Sequence, residues 1–217
     1  MDFVNWAYTE SDPALMLFTA ARERFGFDLP AGARVLELGC AETDFIERMK
    51  RQNPSLDLVG VDVRKDRDPQ EWVFVQGDAS YQEGAEALRS VALFRPRSFD
   101  AIVMLGALEH FGLGFYGDPL NDNGDTDAMR NVSRWLKPDG WCYFDVPYAP
   151  QGYRVAENRH FRHYDEPALS ERLLVPGLRE VARGYSHPEP TAGTWLERPA
   201  CDRVPYWFVA VLCAKPE

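Results

Sequence analysis

Acidic side chains recur at one edge of the β-sheet that this sequence predicts. Strand-like and helix-like segments alternate along the chain, which indicates a parallel sheet, and ligands bind such sheets beyond the carboxyl ends of the strands. The residues that fall at or just after those ends are Glu37, Asp62, Asp78, Glu109, His110 and Asp145. One carboxylate there is explained by a helix cap, but carboxylates are costly at buried positions without partners. Several of them together therefore predict a ligand rich in hydrogen-bond donors.

The segment that would position the first of these residues runs from Arg34 to Phe45, with the sequence RVLELGCAETDF. A short apolar run ends at Gly39 and a helix-like pattern follows over 44–51, which predicts a buried strand, a tight turn and a helix. Glycine accepts a positive φ and lets a ligand approach the backbone, while the helix start presents free N–H groups. Thr43 is expected to cap the helix rather than to contact ligand. The unit predicts a nucleotide-like ligand, although such a unit can also be purely structural.

Two ligands compete for this turn. A dinucleotide fingerprint has further glycines where Ala41 and Thr43 stand here, so that match is poor. The run VLELGC instead resembles the first motif of class I S-adenosylmethionine-dependent methyltransferases. The resemblance implies that Glu37 faces the methionine ammonium and that Gly39, Cys40 and Ala41 lie under the ligand. The missing glycines depart from this family's pattern as well.

Further segments carry the same resemblance. VGVDV, at 59–63, resembles the family's second motif and implies that Asp62 accepts both ribose hydroxyls, although dinucleotide enzymes share this spacing. VQGDAS, at 75–80, implies that Asp78 accepts the adenine amine and that the N–H of Ala79 bonds the ring; Asp78 could instead be a turn residue. LKPDGWCYFDVP, at 136–147, resembles the turn into the fifth strand. The cofactor-binding set implied by the resemblance is Glu37, Gly39, Cys40, Ala41, Asp62, Val63, Asp78, Ala79, Leu105 and Gly106.

The candidate catalytic residues follow the fourth predicted strand, in the segment LGALEHFGLGFYGDPLNDNGD. Its opening resembles the ALEH segment of many small-molecule and sugar methyltransferases, which implies that Glu109 and His110 face the methyl group. Neutral imidazole can accept a proton near pH 7, so His110 is the candidate general base. The alternative is that His110 only supports the loop.

The segment 158–169, NRHFRHYDEPAL, resembles the H-x-R-x-Y-x-x-x-x-L segment of the same family. His163 is a second candidate for the base if this segment folds inward. Arg162 could close over the active site or anchor the loop to an acidic residue at the sheet edge, and both roles stay open. The nearby loop holds Asp118, Asp122, Asp125 and Asp127, which could bind Mg²⁺ or Ca²⁺. Their spacing is not that of an EF-hand, so turns and helix caps are favoured and no metal is expected.

Composition narrows the class of protein. The 217 residues suit a single domain over 1–217, with an N-terminal helical segment at 1–30 and substrate-side loops at 106–124 and 147–165. A net charge of −10 without a dense Lys/Arg run argues against nucleic acid as a partner. The four cysteines lack C-x-x-C spacing, and no apolar run approaches membrane-spanning length. These observations predict a cytoplasmic protein with reduced thiols and no membrane partner.

The fold class that we predict is α/β: a Rossmann-like, seven-stranded, mostly parallel sheet with helices on both faces and an antiparallel last strand. The strand order comes from the resemblance. Strands are predicted at 35–38, 57–63, 72–75, 98–105, 141–146, 179–185 and 205–214, with the last two as an antiparallel pair at one edge. Helices are predicted at 13–24, 44–51, 81–94, 124–136 and 167–174, and a turn at 137–140.

The function predicted by these features is S-adenosylmethionine-dependent methyl transfer to a small-molecule acceptor, at oxygen, with a histidine base and a monomeric or homodimeric enzyme. Two alternatives remain. A non-catalytic S-adenosylmethionine-binding protein is motivated by the departures at Ala41 and Thr43. A NAD-dependent oxidoreductase would share the fold but is disfavoured by the missing glycines.

Overall fold

The structure is a computed structural model, and it describes residues 29–64, 69, 71–80, 93–186, 195–196 and 207–216. The predicted helix at 13–24 lies outside these residues. So does the predicted helix at 81–94, apart from its last two positions.

A central sheet is formed by eight strands. They are β1 (Arg34–Leu38), β2 (Asp57–Asp62), β3 (Val73–Gln76), β4 (Phe99–Met104), β5 (Leu136–Tyr148), β8 (Arg179–Ser186), β9 (Trp195–Leu196) and β10 (Trp207–Ala214). Their order is β3-β2-β1-β4-β5-β10-β8-β9. The first five strands run parallel, and β10 is antiparallel to both β5 and β8. The predicted Rossmann-like sheet with an antiparallel last strand is confirmed.

Three two-residue strands were not predicted. One is β9, and the others are β6 (Arg154–Val155) and β7 (Arg162–His163), which form a separate antiparallel pair. Alternation of apolar and polar residues needs at least four positions to be read, so strands this short leave no pattern. The β6–β7 pair lies beyond the end of β5, because the chain just after β7 bonds the end of β5 through Tyr164 N–H and the carbonyl of Pro147, at 2.9 Å.

The predicted turn at 137–140 lies inside β5. The pairing of β5 with β4 passes from Leu136 opposite Phe99 to Trp141 opposite Ala101, so the four residues between them leave the ladder. Asp139 has a φ of 62°, a left-handed conformation that bends the chain there. The four residues predicted as a turn therefore form a bulge near the start of β5, which is longer than the predicted strand.

Both faces of the sheet are buried. On one face α1 (Phe45–Gln52) packs through Phe45, Ile46 and Met49 onto Val35 and its neighbours. On the other face α2 (Gly124–Trp135) packs through a stripe that ends in Trp135. Strands covered on both sides are apolar at successive positions, which explains the unbroken apolar runs in the sequence. The predicted helices on both faces are confirmed.

A last helical segment precedes β8. It is one α-turn (Glu166–Ala168) that continues as a π-helix (Leu169–Leu173). Asp165 caps it, because its Oδ1 accepts the N–H of Ala168 at 2.9 Å. Within the described parts of the chain, no helix has the length and apolar character needed to cross a membrane.

Candidate active site

A cavity of about 340 Å³ opens at the carboxyl ends of β1, β2, β3 and β4. Nine of the residues predicted for the site line it: Gly39, Asp62, Val63, Asp78, Ala79, Leu105, Gly106, Glu109 and His110. Lining residues that the sequence reasoning did not assign to the site include Glu42, Arg64, Tyr116, Asp118 and Phe208. Ligand sites in proteins have volumes of this order, so the cavity can hold a nucleoside-sized molecule.

The turn after β1 is built on Gly39. Its φ of 81° and ψ of 41° are left-handed, and a Cβ atom at this position would lie 2.4 Å from the Cβ of Ala107. Only glycine allows that close approach at that φ. A 3-10 turn follows (Cys40–Glu42) and brings Glu42 to the cavity. The glycine therefore lets the turn pack against Ala107 at the edge of the cavity.

Four residues of the predicted site do not line the cavity. Cys40 packs in the core, since its Sγ would lie 2.8 Å from a Cβ on Gly60. Ala41 contributes its N–H to Asp62 instead. Glu37 is 1% exposed, and His163 is 2% exposed.

Thr43 was predicted to cap α1, and this is wrong. The N-cap residue is Asp44, and the Thr43 hydroxyl donates to Glu37 Oε1 at 2.5 Å. Thr43 itself lines the cavity, so it lies between the buried Glu37 carboxylate and the open space. A hydrogen bond to a charged acceptor is stronger than a cap to a neutral amide, which explains the choice of partner.

Asp62, at the end of β2, is almost fully bonded. Its Oδ2 accepts the N–H of Ala41 at 3.0 Å, and its Oδ1 accepts the N–H of Arg64 at 3.0 Å. The Arg64 side chain adds Nε to Oδ1 at 3.1 Å and Nη2 to Oδ2 at 3.3 Å. A carboxylate oxygen accepts about two hydrogen bonds, so both oxygens are filled. A ligand hydroxyl at Asp62 would have to replace the Arg64 side chain.

Arg64 also contacts two other residues that line the cavity. Its Nη1 bonds Glu42 Oε1 at 2.5 Å, and its guanidinium lies over the Tyr116 ring, 4.3 Å from the centroid. The two carboxylates raise the pKa of Arg64 further, against the effect of burial. The side chain therefore joins the β2 end to the loop that follows β4.

Asp78 lies just after β3, and one of its two carboxylate oxygens accepts hydrogen bonds from the described residues. Its Oδ1 accepts the N–H of Ser80 at 2.7 Å and the Ser80 hydroxyl at 2.6 Å, which closes a turn. Its Oδ2 is buried and has no hydrogen-bond partner among the residues that the structure describes. The turn therefore uses one oxygen of this carboxylate and leaves the other at the cavity.

His110 lies in a 3-10 turn after β4 (Leu108–His110). Its Nδ1 is 2.5 Å from the carbonyl oxygen of His160. A carbonyl only accepts, so Nδ1 carries the hydrogen and Nε2 is the proton acceptor of the neutral ring. Nε2 is 3.8 Å from Glu109 Oε1. Burial lowers the pKa of His110 below 6.5, although the carbonyl and Glu42 oppose that effect, so the ring is neutral at pH 7.

His163, the second candidate base, is not brought to the cavity. It lies in β7 against the Phe161 ring, at 4.8 Å between centroids. Burial and the neighbouring Arg154 lower its pKa to about 4.

Asp145, the remaining acid of the predicted edge, is fully buried. Its Oδ1 accepts the N–H of Gly106 at 2.8 Å. Asp145 therefore does not line the cavity itself but holds the backbone of Gly106, which does.

The four aspartates of the acidic loop are spread over separate partners. Asp118 accepts the N–H of Gly114, Asp122 pairs with Arg159, Asp127 pairs with Arg130, and Asp125 is buried with Arg172. Across the described part of the chain, no three His, Cys, Asp or Glu side chains are grouped as metal ligands.

Comparison with known proteins identifies the family. A family described as a methyltransferase domain matches residues 11–182, most of the chain. The chain belongs to this methyltransferase family. The resemblance to class I S-adenosylmethionine-dependent methyltransferases is thereby confirmed. The methyltransferase has no match among curated protein sequences.

Solved structures share the fold at low identity. A 1,6-didemethyltoxoflavin-N1-methyltransferase from Burkholderia thailandensis, with bound 1,6-didemethyltoxoflavin and S-adenosylhomocysteine, has a TM-score of 0.62 and 17% identity over 100% of this chain and 86% of its own. An O-methyltransferase of a trans-AT PKS multienzyme from Brevibacillus brevis, in complex with S-adenosylhomocysteine, has a TM-score of 0.67 and 12% identity over 93% and 72%. The [4+2]-cyclase SpnF has a TM-score of 0.63 and 17% identity over 97% and 84%. Identities this low establish the fold alone, which these different activities illustrate.

Proposed function

We propose that this methyltransferase transfers a methyl group from S-adenosylmethionine to an oxygen atom of a small molecule, with His110 as the general base. The observation that carries the proposal is that one cavity is lined by the turn after β1, by the ends of β2 and β3, and by His110. A donor held by the first three elements would therefore share the space with a proton acceptor. Enzymes of this kind gain most from positioning the two reactants.

The cofactor end of the cavity fits a nucleoside. Gly39 lines the cavity in a turn that packs tightly against Ala107, and Asp78 offers a buried oxygen as an acceptor for an amine. Asp62 would accept the ribose hydroxyls once Arg64 moves away. Bound there, S-adenosylmethionine supplies an electrophilic methyl group on a cationic sulfur. We propose that Glu37, behind Thr43, acts on the ammonium through its charge.

The acceptor end of the cavity is lined by Glu109, His110, Phe111 and Tyr116. His110 Nε2 would take the proton that an alcohol or phenol loses as its oxygen becomes methylated. The ring is suited to this because it is neutral at pH 7 and its tautomer is fixed by the His160 carbonyl. Glu109 Oε1, 3.8 Å from Nε2, would stabilise the imidazolium that forms.

The test is a calorimetric titration with S-adenosylhomocysteine and with NAD, followed by turnover on a panel of sugars, phenols and natural-product scaffolds. We expect S-adenosylhomocysteine to bind, NAD not to bind, and at least one hydroxylated acceptor to be methylated. Binding of NAD alone would support an oxidoreductase instead.

A second candidate function is favoured by one observation. The Arg64 side chain occupies the hydrogen-bonding positions of Asp62. This arrangement is expected in a protein that has kept the pocket but lost the catalytic activity. Such a non-catalytic binding protein would bind S-adenosylhomocysteine but methylate no acceptor.

The same screen tests which atom is methylated. Methylation of amines only, with hydroxyl acceptors inert, would contradict the assignment to oxygen.

A further inference from the structure

Arg162 lies at the centre of the contacts that hold the loop carrying His110. Its side chain is fully buried. Nη1 donates to the carbonyl oxygens of Glu109 at 3.4 Å and of Phe111 at 2.6 Å. These two carbonyls belong to the residues on either side of His110. One side chain therefore fixes the backbone before and after the candidate base.

The same guanidinium reaches the far end of the loop. Nη2 donates to the carbonyl oxygens of Asn121 and Asp122, both at 3.4 Å. Buried carbonyl groups need donors, and arginine presents several in one rigid plane. Arg162 thus closes the loop at its start and at its end.

The segment that carries Arg162 also holds the imidazole ring. The carbonyl that accepts His110 Nδ1 belongs to His160, two residues before Arg162. The His160 ring is held by the Tyr116 hydroxyl, 3.1 Å from its Nε2, and by stacking on Phe115 at 4.0 Å between centroids. The segment 160–162 therefore holds both the ring of His110, through the His160 carbonyl, and the backbone around it, through the Arg162 side chain.

The charge of Arg162 is not needed to keep its neighbour paired. Asp125 Oδ2 is 3.7 Å from Arg162 Nε, but it accepts shorter bonds from the Tyr164 hydroxyl at 2.9 Å and from Arg172 Nε at 2.9 Å. Asp125 Oδ1 also accepts Arg172 Nη2 at 2.6 Å. The Nη1 and Nη2 groups of Arg162 are thus directed at the loop carbonyls, and only Nε faces the carboxylate.

We propose that Arg162 is a positioning residue: it fixes the backbone on both sides of His110 so that Nδ1 stays on the His160 carbonyl and Nε2 remains the proton acceptor. The part of this inference that concerns catalysis rests on the proposed function, whereas the part that concerns the placement of His110 does not. The charged and titratable groups that face His110 are Glu109 on its own turn, Glu42, Arg64, Tyr116 and His160.

The test compares Arg162→Met with Arg159→Gln in the full chain. Arg159 is the matched control, because it bonds the same loop at Asp122 and Leu113 but is 44% exposed and contacts neither carbonyl beside His110. Each variant is titrated with S-adenosylhomocysteine to show that it is folded. The imidazole of His110 is then followed by NMR from pH 4 to 8, and turnover is measured with an acceptor found in the screen.

We expect Arg162→Met to bind S-adenosylhomocysteine as the wild type does, while the pKa of His110 rises toward the ordinary value of about 6.5 because the ring leaves its buried position. Turnover should fall roughly tenfold to a hundredfold with little change in KM. Arg162→Lys, which can still reach one carbonyl, should recover part of the turnover. Arg159→Gln should match the wild type in all three measurements.

A wild-type His110 titration in folded Arg162→Met would overturn the proposal. Should that variant fail to fold, Arg162→Gln, which keeps two donors but has a shorter reach, decides by the same two measurements. Failure of the proposed function would look different. In that case His110→Ala would keep full turnover, while Arg162→Met would still shift the His110 titration.

Discussion

Asp62 and Asp78 lie at or just after the ends of neighbouring strands, and their carboxylates differ in how many of their oxygens already accept hydrogen bonds. The oxygens of Asp62 are filled by Ala41 and Arg64, whereas Asp78 keeps one buried oxygen without a described partner. A ligand can bond Asp78 at once, but it must displace a side chain to bond Asp62. The two residues therefore respond differently to substitution.

The first prediction concerns Asp78→Asn. The amide oxygen can still accept from Ser80 and keep the turn, but an amide nitrogen would replace Oδ2 and cannot accept from an amine. We expect the affinity for S-adenosylhomocysteine to fall by about 1–3 kcal/mol, the cost of an unmet buried polar group. Calorimetry measures it, and an unchanged affinity in the folded variant would remove Asp78 from the adenine site.

The second prediction concerns Arg64→Met and has the opposite sign. Removing the side chain leaves the hydrogen-bonding positions of Asp62 open to the ribose, so S-adenosylhomocysteine should bind more tightly, by up to about 1 kcal/mol, as for a partly exposed ion pair. Asp62→Ala should instead lose about 1.5–3 kcal/mol of binding. Weaker binding by Arg64→Met would show that Arg64 contacts the ligand rather than competing with it.

The third prediction concerns His110 and the dependence of the rate on pH. The proposed base accepts a proton only when it is neutral, and burial lowers the pKa of His110 below 6.5. The value of kcat/KM should therefore rise with pH through a limb below 6.5 and be flat from pH 7 to 8. His110→Ala should keep cofactor affinity, lose this limb and turn over about a hundred- to ten-thousandfold more slowly. A variant with full turnover and the same limb would place the base elsewhere.

At the scale of elements, the β6–β7 pair keeps His163 out of the cavity that His110 lines. β7 places His163 in a buried position away from the cavity and places the chain before it against His110. The two histidines look alike in the sequence, since each lies in a segment rich in aromatic and charged residues. Only the fold of the two-residue strands separates them.

A fourth prediction follows for stability. The pKa of His163 is lowered to about 4 by burial and by Arg154, so the unfolded chain takes up a proton near pH 6.5 and the folded chain does not. The contribution to stability is complete above pH 6.5 and is lost as the pH falls toward 4. We expect the wild-type Tm to drop across this range and His163→Phe to drop less. Parallel scans at pH 7 and pH 4.5 make the comparison, and equal losses would exclude His163 as the cause.

The strands of the sheet could be predicted because each is a run of apolar residues long enough to read, as in β1, β2 and β4. The positions of Gly39 after β1 and of Asp62 at the end of β2 follow from those runs, and both residues line the cavity. The partners of long or polar side chains could not be predicted in the same way. Arg64 bonds Asp62 and lies over Tyr116, and Thr43 bonds Glu37. The fold brings these groups together, and no local sequence pattern relates them.

At the scale of the whole molecule, the described lining of the cavity combines several carboxylates with the guanidinium of Arg64. The lining acids are Glu42, Asp62, Asp78, Glu109 and Asp118. Together with the net charge of −10, these acids in the cavity lining favour the binding of a cationic methyl donor and disfavour anionic ligands. Neutral hydroxylated acceptors are compatible with it.

The fifth prediction concerns metal removal. Each aspartate of the loop at 118–127 already bonds a donor from the protein, and they point to different partners. Treatment with EDTA should therefore leave both turnover and Tm unchanged. A loss of turnover that Mg²⁺ restores would show that the loop binds an ion.

The strand order has a consequence for the making of the protein. β10 follows β8 along the chain, yet it lies between β5 and β8 in the sheet. While the chain leaves the ribosome, β5 and β8 are available before residues 207–214, so one edge of each stays open until β10 is inserted. Open strand edges pair readily with other chains. A nascent chain stalled just before residue 207 would thus be at its most prone to aggregate although nearly all of the cavity wall had been synthesised.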